Sequence, residues 1–462
     1  MPDYSMKELE EWNARIEERT RKNGLNCYEQ EFELVSYEEM TAYEAYAGMP
    51  SHYPHWSYGK AYERIRTFNR YNLSGLPYEM VINSNPCIAY LMKDNTLLLQ
   101  IMTIAHVYGH NDFFKNNRLF KYGTKAELTV EMFKNHAARI RDYISDPSIG
   151  YSRVERVLDA AHALRYQCAR TVGARRLEED ELKKRLLKST EKPESDFPLL
   201  EKPSKKYSIE PDLKKIPLEP EEDLLYFIGA YGRLEDWEKD ILDIVREETL
   251  YFIPQIETKF MNEGWASFWH YKLLNEMNLP QQLHFEFLKR HSQVVRPQER
   301  HLNPYYIGFK IFENIYEKSG GSMAKIFEAR EMERDESFIR RYLTQELCCE
   351  LKLYEYEKDG SEYIVSEVPD DEGWMKIRDN LAISTGTGNI PLILVTDWNP
   401  KGNTLLLEHV YDGRELEFHY ANETLRYLAD LWDGRVILNT VADGRKRSII
   451  CNEDKKITMV NT

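Results

Sequence analysis

The sequence predicts an α+β protein: a mainly helical N-terminal body, in which a β-hairpin precedes a helix bearing a histidine pair, followed by a small C-terminal α+β domain. Three observations lead there. Apolar residues recur at helical spacing, with capping signals, through most of residues 1–348. Six of the 19 prolines crowd into residues 193–220 among Lys and Glu, where missing backbone donors disfavour helix and sheet. Beyond Cys349 the pattern changes to alternation broken by Asp-Gly pairs. The expected divisions are a helical region over 1–175 with a hairpin at 78–92, a charged connector over 176–223, a helical region over 224–348 that completes the body, and an α+β domain over 349–462.

Taken in order, Ser5-x-x-Glu8 is a capping-box pattern that opens a charged helix reaching about Lys22. A short helix follows near Tyr37 to Ala47, then an aromatic loop between Pro50 and Pro54. Residues 78–92 alternate around Asn83-Ser84-Asn85-Pro86 and read as the hairpin. Asp94-Asn95-Thr96 caps an apolar helix from Leu97 to about Phe114, and helices continue through Leu128–Tyr143 and Tyr151–Val172. Helical spacing returns from Trp237 to Met277 and from Ile307 to Leu347. In the C-terminal domain, hairpins around Asp359-Gly360 and Asp412-Gly413 are each followed by a helix and a strand. They suggest two ββαβ units repeating at roughly 50 residues.

Composition narrows the function classes. With 42% hydrophobic and 30% charged residues the chain is an ordinary globular one, not a disordered one. A formal net charge of −15 without a basic patch argues against nucleic acid as a partner, because phosphates are repelled. No apolar stretch reaches the length of a membrane span, and the N-terminal residues carry no basic or apolar leader pattern. The six cysteines are scattered without a Cys-x-x-Cys pair, so they read as reduced thiols, and the expected location is cytoplasmic. No nucleotide-binding motif is present: Gly386-Thr387-Gly388-Asn389 lacks the Gly-Lys-Ser/Thr ending of a phosphate loop.

The strongest chemical signal is His106 and His110, one turn apart on one helical face, so that both imidazoles can reach a single ion. Zincins use this spacing as His-Glu-x-x-His, but here Val107 stands where the general base would be. Glu263 and His270 lie two turns apart in a later helical stretch, and a Glu from a later helix is a natural third ligand. The expected centre is therefore one divalent ion, zinc first, on His106, His110 and Glu263. Asp112 and His270 are the catalytic candidates, with His52 and His55 as further possible bases. Arg296, Arg300 and His301, in a proline-bounded turn, form with His52 and His55 a second candidate polar cluster. The bland reading is two helix histidines bonded to neighbours in a polar pocket.

Residues 106–117 (His-Val-Tyr-Gly-His-Asn-Asp-Phe-Phe-Lys-Asn-Asn), 262–270 (Asn-Glu-Gly-Trp-Ala-Ser-Phe-Trp-His), 55–60 (His-Trp-Ser-Tyr-Gly-Lys) and Asn303-Pro304-Tyr305 together resemble the stage V sporulation protein R family, over essentially the whole chain. The resemblance implies a cytoplasmic bacterial protein needed for normal spore cortex (peptidoglycan) formation, with relatives in bacteria that do not sporulate. It delivers no reaction. Two functions are then expected to compete: a metal-dependent amide or peptide hydrolase, and a non-catalytic scaffold or regulator of cortex assembly. The second would meet protein partners through the connector or the C-terminal domain, with the His/Glu cluster serving structure.

Overall fold

The computed structural model describes residues 4–70, 79–190, 212–298, 302–359 and 362–461. In chain order, helix α1 (Met6–Lys22) is followed by strand β1 (Gln30–Val35), helices α2 (Tyr37–Ala45) and α3 (Trp56–Arg70), and strands β2 (Glu79–Ile82) and β3 (Cys87–Met92). Helices α4 (Leu97–Asn116), α5 (Arg118–Gly123), α6 (Thr129–Ser145), α7 (Tyr151–Leu164) and α8 (Glu179–Thr190) come next. After them run α9 (Leu224–Tyr231), α10 (Asp236–Glu257), α11 (Lys259–Glu276), α12 (Gln281–Val294) and α13 (Pro304–Lys318). The helical series ends with α14 (Met323–Met332), α15 (Asp335–Tyr342) and α16 (Gln345–Glu350). The remainder is β4 (Glu355–Asp359), β5 (Glu362–Glu367), α17 (Gly373–Ile383), β6 (Ile393–Asn399), β7 (Thr404–His409), α18 (Phe418–Trp432), β8 (Arg435–Ala442), β9 (Arg445–Cys451) and β10 (Ile457–Asn461). The protein is thus mainly helical with small sheets and a C-terminal α+β region. Among the described residues, no helix is long and apolar enough to cross a membrane.

The chain forms two compact units, one from residues 1–154 and 250–389, the other from 155–249 and 390–462. In the first, the expected caps are in place: Ser5 accepts from the Glu8 amide, Ser36 and Glu39 close a capping box, and Thr96 accepts from the Leu99 amide. The hairpin forms as β2 antiparallel to β3, although its first expected residue, Tyr78, lies outside the described residues. Sequence reading missed β1, which pairs parallel with β3 and makes it the central strand of a β1-β3-β2 sheet. It also missed α3 and α12.

The long helical pattern from Trp237 to Met277 is two helices, α10 and α11, with Pro254 in the last turn of the first and Thr258 between them. Helix α4 is buried along nearly its whole length and sits among the first unit's core residues with α11 and α13. Glycines set that spacing. A Cβ on Gly109 would stand 2.6 Å from Ala266 Cα, and one on Gly264 would stand 2.3 Å from the Gly308 carbonyl carbon. Only hydrogen side chains permit such backbone approach. Gly109 lies between the two histidines and Gly264 follows Glu263, so these contacts draw the chemistry-bearing residues together.

In the second unit the sheet order is β10-β9-β8-β7-β6, antiparallel except for the parallel pair β7–β8. The expected hairpin around Asp412-Gly413 is not formed. Strand β7 pairs back onto β6 through a turn at residues 400–403, and residues 418–432 are helix α18, capped by Glu417. Burial of Leu425, Leu428, Ala429, Leu431 and Trp432 on one side of α18 outweighs the Asp-Gly turn signal. Strands β4 and β5 do pair as a hairpin, but in a separate two-stranded sheet that belongs to the first unit, so two equivalent ββαβ units are not present.

Candidate metal centre

Helix α4 presents His106 and His110 on one face, their ring centroids 4.6 Å apart. Helix α11 presents Asn262, Glu263 and His270 toward them. Glu263 Oε2 stands 3.7 Å from His106 Nε2 and 3.6 Å from His110 Nε2. From the hairpin, Glu79 Oε1 reaches to 3.6 Å from His106 Nε2. Glu79, His106 and His110 each offer a ligand atom within 4.8 Å of the others.

These separations are too long for hydrogen bonds and suit donors sharing one ion. Tetrahedral zinc with bonds near 2.0–2.1 Å places its ligands about 3.4 Å apart. The satisfaction of each atom points the same way. His106 Nε2 and Glu263 Oε2 are shielded from solvent, with no hydrogen-bond partner, a costly state that a cation removes.

The outer nitrogens are engaged. His110 Nδ1 lies 2.9 Å from Asn262 Oδ1, which can only accept. The proton therefore sits on Nδ1 and leaves the Nε2 lone pair toward Glu263. His106 Nδ1 lies 2.9 Å from His270 Nδ1, and His270 Nε2 lies 2.8 Å from His291 Nδ1. With Nε2 of His106 kept as a lone pair, its Nδ1–H donates to His270, whose Nε2–H donates to His291. Such outer partners orient ligand rings and raise their basicity. His270→Ala is accordingly expected to weaken zinc binding by about 10–100-fold. Competition with a chromophoric chelator measures this, and unchanged affinity would mean that His270 does not position His106.

Burial lowers His110 to about 4, helped by neighbouring His106, so this imidazole is neutral near pH 7. His270 is held well below its ordinary value by burial and the surrounding histidines. Burial alone would push Glu263 up, but His106, His110 and the Tyr305 hydroxyl outweigh it and leave the carboxyl below its usual range. Glu79 goes the other way: burial raises it, His106 opposes, and Glu263 adds to the rise.

The cluster opens onto a cavity of about 710 Å³ lined also by Glu44, Gln255, Gln293, Gln298, Asn303 and Tyr305, among others. Asn303 caps α13 by accepting from the Tyr305 amide, and its side-chain amide donates to the carbonyls of Val294 and Arg296. Those bonds fix Asn303 and the start of α13, where Tyr305 rises beside Glu263, whose charge, with burial, raises the phenol well above its ordinary value. Sequence reading did not single out Glu79, and it met Tyr305 only in the Asn303-Pro304-Tyr305 motif, not as a site residue. Neither has a helical spacing to the histidines, and only the strand order and the α13 cap deliver them.

Other expected residues are placed elsewhere. Asp112 is not brought to the cluster. It pairs with Arg330 at 3.1 Å and accepts from Trp265 Nε1 and the Asn26 amide. His52 accepts from the Tyr53 amide and bonds Tyr58, and His55 bonds Ser57; neither lines the cavity. The Arg296 side chain does not line it either, and Arg300 and His301 lie outside the described residues.

The model of a family described as SpoVR like protein matches residues 3–390, and that of the SpoVR-like C-terminal domain matches residues 391–443. The uncharacterized protein YcgB of Escherichia coli (strain K12) is 32% identical over 475 residues, covering 95% of this chain and 92% of the relative. No solved structure matches the chain.

Proposed function

The chain belongs to the SpoVR family, and from that premise we propose that it is a metal-dependent hydrolase of amide or peptide bonds serving spore cortex formation. The observation that carries the reading is the pair of orphaned, buried donor atoms, His106 Nε2 and Glu263 Oε2, facing one another at a cavity large enough for a substrate. A purely structural ion would be closed in by protein ligands, whereas a catalytic one keeps an open position.

In this proposal His106, His110 and Glu263 hold the ion. Glu263 is chosen over Glu79 as third ligand because one of its oxygens lies within 3.7 Å of both imidazoles. Zinc bound there would polarise a carbonyl and ease deprotonation of the attacking water. Glu79, delivered by β2 to 3.6 Å from His106 Nε2, takes that water's proton and passes it to the leaving amine, supplying the carboxylate that Val107 does not. Tyr305 donates its hydroxyl hydrogen to the oxyanion that develops as the carbonyl is attacked. The Asn and Gln side chains of the wall orient the amide. The substrates in keeping with a cytoplasmic location are peptidoglycan precursors or a peptide regulator.

The test is hydrolysis of precursor stem peptides and simple peptide amides by tag-free, zinc-loaded protein. Activity is expected to vanish with chelator, to return with zinc, and to be absent in His110→Ala. A loaded protein inert across that panel would contradict the hydrolase and favour a scaffold with a structural ion.

A further inference from the structure

Charge along the cavity wall carries the reading further. Every charged residue that lines it, among the described residues, is acidic apart from the histidines: Glu44, Glu79 and Glu263. A divalent ion offsets two of these, Glu263 as its ligand and Glu79 beside it, and leaves Glu44 over. Glu44 sits at the end of α2, before the turn at Ala47 and Gly48, which also line the wall. Its Oε2 is shielded from solvent and has no hydrogen-bond partner. The cation acting on it is Arg64, which lowers its pKa but is itself exposed and makes no ion pair with it. Burial outweighs Arg64, and the carboxyl is raised. A carboxylate that lines the cavity without an ion-pair partner gains most from a ligand that brings both a charge and hydrogen-bond donors.

We infer that the cavity is built for a substrate with a protonated primary amine, received by the Glu44 carboxylate while the amide to be cut lies over the His106–His110–Glu263 centre. An ammonium offers three donors and one positive charge, which match the charge left on the wall by a carboxylate that lines the cavity. Gln255, Gln293 and Gln298 supply neutral donors and acceptors for the rest of the chain. The substrate class is thus a short peptide with a free α-amino group, or a side-chain amine of a diamino acid. This inference rests on the hydrolase reading above, and its test separates the two.

Zinc-loaded protein is titrated calorimetrically with leucine hydroxamate and with 4-methylpentanohydroxamate, which has the same skeleton and zinc-binding group but no amine. Wild-type protein is expected to bind the amine-bearing ligand about tenfold or more tightly, the ratio one charge-assisted hydrogen bond provides. Glu44→Gln is expected to abolish that ratio and leave the affinity for the amine-free ligand unchanged. Equal binding of the two by wild-type protein, or a ratio that survives in Glu44→Gln, would overturn the inference while leaving the metal centre standing. Failure to bind either ligand would bring down the hydrolase reading and this inference with it.

Discussion

Glu79→Gln is expected to lower the turnover of any amide substrate by about 10²–10⁴-fold while the protein keeps its ion. The expectation follows from the division of labour between two carboxylates. Glu263 is drawn down by both histidines and stays an anion suited to binding a cation. Glu79 stands 3.6 Å from His106 and within 4.8 Å of His110, without the close approach to both imidazoles that Glu263 makes, and it comes from a strand of the hairpin, not from the helices that hold the ion. Gln keeps the shape and removes the base. Turnover and zinc content measured on the same preparation decide the matter. Loss of the ion would make Glu79 a ligand, and full activity would remove it from the reaction.

Asp112→Ala is expected to act on the fold instead. It removes the anion opposite Arg330, whose side chain is only 7% exposed, and strips acceptors from Trp265 Nε1 and the Asn26 amide. Breaking a buried pair from one side costs about 3–5 kcal/mol, because the charge left behind has neither partner nor water. Denaturant unfolding should show that loss, while zinc affinity of the folded protein stays within about twofold, since no donor atom is moved directly. Normal stability with abolished activity would instead place Asp112 in the chemistry, where its neighbourhood to His110 in sequence first suggested it.

That contrast shows what the sequence could and could not reveal. Two histidines four apart on a helix announce a shared face, and Glu263 and His270, seven apart, announce another. The structure brings those two faces together. Asp112 belongs to the same sequence motif, yet two residues past His110 is about 200° round the helix, so proximity in sequence meant separation in space. Glu79 is the reverse case. Its strand signal was legible, but its approach to His106 depends on β2 lying at the edge of the β1-β3-β2 sheet. The parallel partner β1, more than fifty residues before β3 in the chain, left no local mark beyond a short alternating run.

The glycines were legible as residues but not as contacts. That Gly109 meets Ala266 and Gly264 meets Gly308 follows only from the packing of three helices. In the C-terminal region, Asp412-Gly413 carries a strong turn signal, and the sequence does turn there. What local chemistry could not decide was whether a strand or a helix came next. The buried apolar face of α18 decided it.

The most direct test of the account is the metal content of protein purified without a histidine tag or chelator, beside His110→Ala and Glu263→Ala. About one zinc or neighbouring divalent ion is expected per wild-type chain, and none in either variant, with all three proteins folded. Well-folded wild-type protein that holds no ion, even after dialysis against zinc or manganese, would contradict it.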